Sequence, residues 1–152
     1  MTGRALPQGS HGFDDVALSD WVQTAALTVT PARIDAFADL TGDRFEIHLS
    51  DAAAQRHGFP ARVAHGLLVL SLIDGLKYQC PAQFRAIASL GWDWTFRAPV
   101  LAGDTIRATL TVAEKRPLAS RPDRGILRLS VTVVNQHDEV VQEGENLLMV
   151  YR

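Results

Sequence analysis

Two residues whose side chains can exchange protons, Asp43 and His48, lie five positions apart in the stretch TGDRFEIH, residues 41–48. Gly-Asp is a common turn dipeptide, so Asp43 taken alone is typical of a structural turn residue. His48 lies between Ile47 and Leu49, where ordinary turn chemistry does not require a histidine. Three uses of this histidine remain open: packing in the core, metal binding, or acid–base work together with Asp43.

Further candidates lie in the segment that begins with VAHGLL. His65 and Gly66 precede its most hydrophobic part, and Asp74 is a single carboxylate inside it. A glycine at the start of a helix lets a ligand approach the backbone closely, at a place where amide groups are free. Cys80 is the only cysteine, and no Cys/His pattern has the spacing of metal ligands. The sequence therefore predicts neither a metal site nor an internal disulfide.

The composition excludes several classes of partner. The chain is 47% hydrophobic and 21% charged, which is typical of a globular protein, and its formal net charge is −2. No run of Lys or Arg indicates nucleic-acid binding. The longest apolar run, residues 67–73, is far shorter than the roughly 20 residues of a membrane span. With one cysteine and no signal-peptide core at the N-terminus, we expect a cytoplasmic protein.

Local signals predict where the domain begins and what precedes the candidate pair. Residues 1–20 are rich in Gly, Pro, Ser and Asp, which predicts an N-terminal tail, and residues 21–152 then form one domain. Thr30 and Pro31 are typical of a helix N-cap and first turn, and Gly42 of a helix end. Asp43 is therefore expected directly after a helix.

The second half of the chain predicts a sheet around a buried helix. Residues 62–79 are apolar on nearly every helical face, which indicates a helix over residues 65–78 with Leu67, Leu70 and Leu76 buried. Apolar residues then alternate with polar ones over residues 104–116 and again over 125–136. Such alternation predicts antiparallel strands with one covered face. The expected fold class is α+β, with a curved antiparallel sheet wrapped around a long central helix.

Three motifs in this order resemble the MaoC-like dehydratases, relatives of the (R)-specific enoyl-CoA hydratases. They are FADLTGDRFEIH, VAHGLL and FRAPVLAGDTI, and the resemblance covers roughly residues 20–151. It implies a single hot-dog domain that dimerises so that the two sheets run continuously. This implied fold agrees with the helix-in-sheet arrangement inferred from the residue pattern alone.

The resemblance implies that Asp43 and His48 are the catalytic pair. The family's usual Asn-Pro between the two residues is replaced by Phe45-Glu46, as it is also replaced in a branch that resembles nodulation protein N. This departure predicts a substrate preference away from short straight acyl chains. Where relatives often carry a serine on the central helix, this chain has Asp74.

The implied reaction is the reversible hydration of a 2-enoyl thioester, acyl-CoA or a similar pantetheine thioester, with no cofactor beyond the substrate. Water adds as OH to C3 and H to C2, so one group accepts the proton of water and a nearby group holds or delivers it. The thioester oxygen gains negative charge, which a main-chain amide such as that of Gly66 stabilises. His65 is expected to orient the turn before the helix and to contribute to substrate binding.

Two other functions remain compatible with the same residues. A hot-dog thioesterase would hydrolyse the thioester with a carboxylate on the central helix, and Asp74 is the candidate for that role. A non-catalytic relative would bind acyl thioesters without turnover, as the loss of Asn-Pro permits. In each case we expect a homodimer or higher homo-oligomer and no nucleic-acid or membrane partner.

Overall fold

A computed structural model of the protein describes residues 3–152. This part of the chain contains three α-helices and eight β-strands. The helices are α1 (Pro31–Thr41), α2 (Asp51–Arg56) and α3 (Gly66–Lys77). The strands are β1 (Gly9–His11), β2 (Trp21–Gln23), β3 (Leu27–Thr28), β4 (Ala82–Phe84), β5 (Ala86–Phe96), β6 (Thr105–Pro117), β7 (Arg124–Val134) and β8 (Val140–Tyr151).

Six of the strands form one antiparallel sheet. Its order is β2–β6–β7–β8–β5, and the short strand β3 also pairs with β6. Strands β1 and β4 form a separate parallel pair. Along β6, Ile106, Ala108, Leu110 and Val112 are all buried while the residues between them are more exposed. The predicted alternation, and with it the α+β architecture of a sheet packed on one apolar helix, is confirmed.

The central helix α3 packs one side against the covered face of the sheet. Leu68, Val69 and Ile73 belong to the same core as the inward residues of β6, β7 and β8. The predicted span of 65–78 agrees with the observed helix to one residue at each end, and Leu76 is buried as predicted. No helix within residues 3–152 has the length and hydrophobicity needed to cross a membrane.

The prediction of a helix buried on every side is wrong for two leucines. Leu67 is 61% exposed and Leu70 is only partly buried. Leu67, Ser71 and Gly75 follow one another at a spacing of four residues and form an exposed strip. The sheet covers only one side of the helix. Apolar residues on the other side of α3 are therefore exposed in the protomer although the helix is hydrophobic on nearly every face.

The N-terminal segment is packed against the domain and is not a tail. Within residues 3–20, Leu6, Phe13 and Val16 are buried in the main core. Strand β1 pairs with β4, and the ring of Phe13 lies where a side chain on Gly125 of β7 would stand. The prediction of a tail over residues 1–20 is therefore corrected for the described residues, and residues 1–2 lie outside them.

Candidate active site

Asp43 is positioned by the end of helix α1. The helix begins at Thr30, whose side-chain oxygen accepts a hydrogen bond from the amide of Arg33, and it ends at Gly42. Gly42 has a φ of 77°, a left-handed conformation that glycine adopts without strain. The chain then turns, and the carboxylate of Asp43 accepts a hydrogen bond from the amide of Phe45 at 3.2 Å. The side chain of Asp43 is exposed at the mouth of a cavity.

His48 is buried and held from two sides. It ends a 3₁₀ turn, Glu46–His48, and its ring Nδ1–H donates to the carbonyl of Val63 at 2.7 Å. Arg62 donates from Nε to the main-chain carbonyl of His48 at 2.5 Å. Because Nδ1 carries the proton in this hydrogen bond, the neutral ring has its free lone pair on Nε2.

His65 packs directly on His48. The two rings stack with their centroids 3.8 Å apart and their planes 24° from parallel. His65 is the N-cap residue of α3, and its Nε2–H donates to the main-chain carbonyl of Asp43 at 2.9 Å. Its Nδ1 is buried and has no hydrogen-bond partner among residues 3–152. The histidine therefore connects the start of the central helix to both members of the predicted pair.

The side chains of Asp43, His48 and His65 converge on one cavity. A carboxylate oxygen of Asp43 and one ring nitrogen of each histidine lie within 4.8 Å of one another. We call the space beside them, of about 330 Å³, the Asp43 cavity. Its lining consists of Phe37, Thr41, Asp43, His48, His65, Gly66, Leu67 and Phe96. Four of the five residues predicted for the site are thus brought together, and their roles stay predictions.

The environment of His48 favours its neutral form. Burial lowers the pKa of His48 below its usual value of 6.5, and the neighbouring His65 lowers it further. The hydrogen bond to Val63 and the charge of Asp43 oppose this shift only in part. A neutral imidazole with a free Nε2 is able to accept a proton at neutral pH.

The same three residues offer ligands of the type that a zinc ion binds, but the two rings are badly oriented for it. In each histidine the N–H of the other ring nitrogen donates a hydrogen bond to a carbonyl, as in metal-bound histidines. A bound metal lies in the plane of each imidazole at about 2.0–2.1 Å from the nitrogen. Stacked rings direct their lone pairs side by side and not toward a common point. One ring would have to turn before both could bind one ion.

A second cavity, also of about 330 Å³, adjoins the first. We call it the Arg97 cavity. Its lining consists of Ile47, His48, Phe59, Val63, Ala64, Gly66, Phe96, Arg97, Ala98, Pro99, Val100 and Gln142. Three residues, His48, Gly66 and Phe96, line both cavities. Any molecule that occupies both spaces must therefore pass these three residues.

Sequence reasoning missed Gln142 and Phe96. Gln142, on β8, is 2% exposed and donates from Nε2 to the carbonyl of Gly66 at 3.0 Å. Its Oε1 accepts a hydrogen bond from the indole of Trp94 at 2.8 Å. Gln142 could have been found as a polar residue at a core-facing position of a strand. It is separated by an even number of residues from the buried Leu148 and Val150, so all three face the same side of the sheet.

Asp74 lines neither cavity. It lies eight residues beyond Gly66, about 12 Å along the helix. Its carboxylate is 2.9 Å from the ammonium group of the buried Lys77, which also donates to Asn146 at 3.1 Å. The structure does not bring Asp74 to the other four predicted site residues, because its carboxylate is directed at Lys77. The thioesterase alternative, which assigns the catalytic carboxylate to Asp74, is not supported by this arrangement.

The Phe45-Glu46 dipeptide is directed toward helix α2. Glu46 accepts a hydrogen bond from His57 at 2.6 Å and pairs with Arg56 at 3.4 Å. The hydrogen bond from His57 lowers the pKa of Glu46. Phe45 is 53% exposed, with its ring edge-on to His48 at 6.1 Å between centroids. Neither residue lines the two cavities. The predicted effect of this dipeptide on substrate preference stays a prediction.

An antiparallel sheet packed on one central helix is the architecture of a hot-dog fold, and the fold of this chain matches solved structures of that class. The family described as "MaoC like domain" matches residues 17–135. The chain therefore belongs to the MaoC-like dehydratase family.

Named relatives agree with this assignment. The chain is 37% identical over 125 residues to a 3-hydroxybutyryl-CoA dehydratase of Methylorubrum extorquens, covering 80% of this chain and 73% of that protein. It is 33% identical over 145 residues to an (R)-specific enoyl-CoA hydratase of Rhodospirillum rubrum, covering 92% of both chains. A crystal structure of a MaoC-like dehydratase from Rhodospirillum rubrum superposes with a TM-score of 0.81 at 28% identity, over 93% of this chain and 97% of that one.

Proposed function

We propose that this protein is a hydro-lyase that reversibly hydrates a 2-enoyl thioester, acyl-CoA or a similar pantetheine thioester, to the 3-hydroxyacyl thioester. The observation that carries the proposal is the convergence of Asp43 and the neutral, buried His48 on one cavity beside Gly66. Membership of the family and the names of the two relatives support the reaction class. The reaction needs no cofactor beyond the substrate.

His48 and Asp43 act on one water molecule. The water donates one hydrogen bond to Nε2 of His48 and the other to the carboxylate of Asp43. As its oxygen bonds to C3, His48 accepts the proton, and the resulting imidazolium delivers that proton to C2 of the enolate. The negative charge of Asp43 stabilises the imidazolium while it exists. Dehydration follows the same steps in reverse, with neutral His48 removing the proton from C2.

The start of helix α3 stabilises the charge on the thioester oxygen. Gly66 is the first residue of the helix, so its N–H has no partner within the helix and the helix dipole favours an anion there. Gln142 holds the main chain of Gly66 in place through its carbonyl. Without a side chain at position 66, the thioester approaches the amide closely.

Two copies of the chain form the working unit in this proposal. Strand β5 is an edge of the sheet, and its pairing with a second β5 across a two-fold axis makes the two sheets continuous.

A continuous assay of a short enoyl-CoA separates this reaction from hydrolysis. Loss of the absorbance of the conjugated thioester without release of free thiol is the expected result. Release of thiol identifies a thioesterase instead, and binding without either change identifies a non-catalytic protein.

Single and double variants test the roles of the pair. Asp43→Asn and His48→Gln should each lower kcat by about 10²-fold or more, the scale of general acid–base loss. The kcat of the double variant should be little lower than that of either single variant, because the two side chains act on the same water. His57→Gln is the matched control, since His57 is an exposed histidine bonded to Glu46 and should leave kcat unchanged. Full activity in folded Asp43→Asn would contradict the proposal.

A further inference from the structure

The main chain of His48 is held by one largely buried guanidinium. The side chain of Arg62 is 12% exposed, and its Nε donates to the main-chain carbonyl of His48 at 2.5 Å. No other side chain within residues 3–152 donates to this carbonyl. The next residue, Val63, accepts the hydrogen bond from Nδ1 of the same histidine at 2.7 Å. Residues 62 and 63 therefore fix both the main chain and the ring of His48.

Arg62 itself has little freedom, because both polar groups of its main chain are bound. Its amide donates to the carboxylate of Asp51, the first residue of α2, at 2.8 Å. Its carbonyl accepts a hydrogen bond from the amide of Ala102 at 2.8 Å. The guanidinium is planar and preorganised, so an arginine fixed in this way holds its acceptors in defined directions.

The same guanidinium binds the helix that supplies Asp43. Nη2 of Arg62 donates to the carboxylate of Asp35 on α1, and Asp43 lies two residues beyond the end of that helix. One planar group thus connects the main chain of His48 with the element that positions Asp43. Loss of either contact frees the two predicted catalytic side chains to move relative to each other.

We propose that Arg62 is a positioning residue that holds the imidazole of His48 close to the carboxylate of Asp43, with Asp35 as its second anchor. Arg62 lines neither cavity, so it acts through His48 and not on the substrate. A misplacement of about 1 Å costs on the order of 10²-fold in rate, so a residue outside the cavities still controls turnover. The inference rests on the proposed function, because it takes Asp43 and His48 to act on one water.

The pKa of His48 reports on both charge and geometry around the ring. Burial is the largest cause that lowers this pKa, and His65 and Arg62 lower it further. The hydrogen bond to Val63 and the charge of Asp43 act in the opposite direction. A neutral residue at position 62 would change the pKa through the lost charge alone. Arg62→Lys keeps the charge but lacks the planar fork, so this variant isolates the geometry.

Kinetics on three variants of the complete protein give the first test. Arg62→Met fills much of the same space without donors and should lower kcat by about tenfold or more, as should Arg62→Lys. Asp35→Ala removes only the second anchor and should cause a smaller loss of kcat. It also covers the case in which Arg62→Met folds poorly. The affinity for butanoyl-CoA, which cannot be hydrated, should stay unchanged in calorimetry. Full kcat in folded Arg62→Met and Asp35→Ala rules the inference out.

Asp39→Ala is the matched control for Asp35→Ala. Asp39 lies on the same helix and pairs with Arg44, and both side chains of this pair are exposed, as is that of Asp35. Neither residue of the control pair contacts His48. The two replacements by alanine raise helix propensity alike, and an exposed ion pair contributes little to stability. Asp39→Ala should therefore leave kcat unchanged.

Histidine NMR makes the test independent of turnover. The resonance of His48 is assigned by its loss in His48→Gln. Asp43 raises the pKa of His48, so Asp43→Asn should lower it. This decrease measures how close the carboxylate lies to the ring, because a charge interaction weakens with distance. The decrease should be smaller when Asp43→Asn is combined with Arg62→Lys or Asp35→Ala, and unaltered when it is combined with Asp39→Ala.

The combination with Arg62→Lys decides the outcome, and that with Asp35→Ala decides it if the lysine variant does not fold. A smaller decrease supports the inference even if the protein hydrates no enoyl-CoA, in which case only the proposed function fails. A decrease of the same size or larger overturns the inference, whatever the hydration activity.

Discussion

At the scale of single residues, His48 combines a protein environment that keeps it neutral with contacts that leave one nitrogen free. Burial lowers its pKa, the neighbouring His65 lowers it further, and Nδ1–H donates a hydrogen bond to the carbonyl of Val63. The hydrogen bond from Nδ1 leaves Nε2 as the free nitrogen, and Nε2 has to accept a proton in the proposed reaction. The histidine is therefore suited to base catalysis at a pH where an exposed histidine is partly protonated.

The pH dependence of the reaction should reflect this shift. Since the proposed base is neutral His48 and its pKa lies below 6.5, the acid limb of kcat/KM should have its midpoint below pH 6.5. The measurement is the rate of enoyl-CoA hydration between about pH 4.5 and 8. An acid limb centred above pH 6.5 would show that another group, or a differently placed His48, controls the rate.

The same shift makes stability depend on pH. Between the lowered pKa of folded His48 and about 6.5, the unfolded chain binds a proton at this site that the folded protein does not bind. The contribution of His48 to stability is fully present above pH 6.5 and is lost as the pH falls through this interval. The Tm of the unchanged protein should therefore fall more steeply on acidification than that of His48→Gln. An equal dependence of Tm on pH in the two proteins would mean that His48 is not buried in its neutral form.

At the scale of elements, the first turn of α3 brings the site together. His65 occupies the N-cap position and donates to the carbonyl of Asp43, and Gly66 supplies the first amide of the helix. Gln142 of β8 holds Gly66 from the sheet through a hydrogen bond to its carbonyl. Helix α1 contributes Asp43 through its glycine end at Gly42. The site thus depends on two helix termini that approach each other, one ending and one beginning.

Replacement by alanine should have different effects at two glycines of α3: a loss of activity at Gly66 and a gain of thermal stability at Gly75. Gly66→Ala places a methyl group within 2.4 Å of the ring of Phe96, so the ring must move into one of the two cavities. We expect kcat/KM to fall by about tenfold or more, a loss of roughly 1.4 kcal/mol of transition-state binding. Gly75→Ala meets nothing within 4 Å in the protomer and should raise the Tm by about 1–4 °C through helix propensity. Retention of full activity by Gly66→Ala would contradict the close approach of substrate to this residue.

At the scale of the whole molecule, the sheet has one long open edge in the described chain. The edge at β6 is blunted by the short strands β2 and β3, whereas the eleven residues of β5 pair only with β8. Leu90 on β5 is 47% exposed, and Leu67 on α3 and Tyr78 directly after α3 are also exposed. An open edge with exposed apolar side chains is a surface that native proteins cover.

We expect the protein to be a dimer through β5, with twice the protomer mass in size-exclusion chromatography with light scattering at micromolar concentration. Leu90→Lys places a charge on this edge and should shift the population toward the monomer. Leu40→Lys, on the exposed side of α1 at 81% exposure, is the control and should stay dimeric. A monomeric unchanged protein, or an equal effect of both variants, would place the interface elsewhere.

The parts of the fold that could be predicted from the sequence depend on neighbours in the chain. The cap at Thr30, the glycine end at Gly42, the central helix and the alternation of β6 each follow from residues within one or two turns or strands. The Asp43–His48 spacing and the glycine at the start of the central helix were visible in the same way. Local hydrogen bonding and side-chain periodicity determine such features, so no knowledge of distant residues was needed.

Only the tertiary structure decided which faces and charges meet. It left Leu67 exposed, packed residues 3–20 on the domain and directed Asp74 to Lys77. It also brought Gln142 and Phe96, 76 and 30 positions beyond Gly66, to the first turn of α3. These contacts join residues far apart in sequence, and their geometry depends on how the sheet closes over one side of the helix. Chemical type and spacing along the chain determine the reactive groups of this protein, whereas packing between distant elements determines their partners.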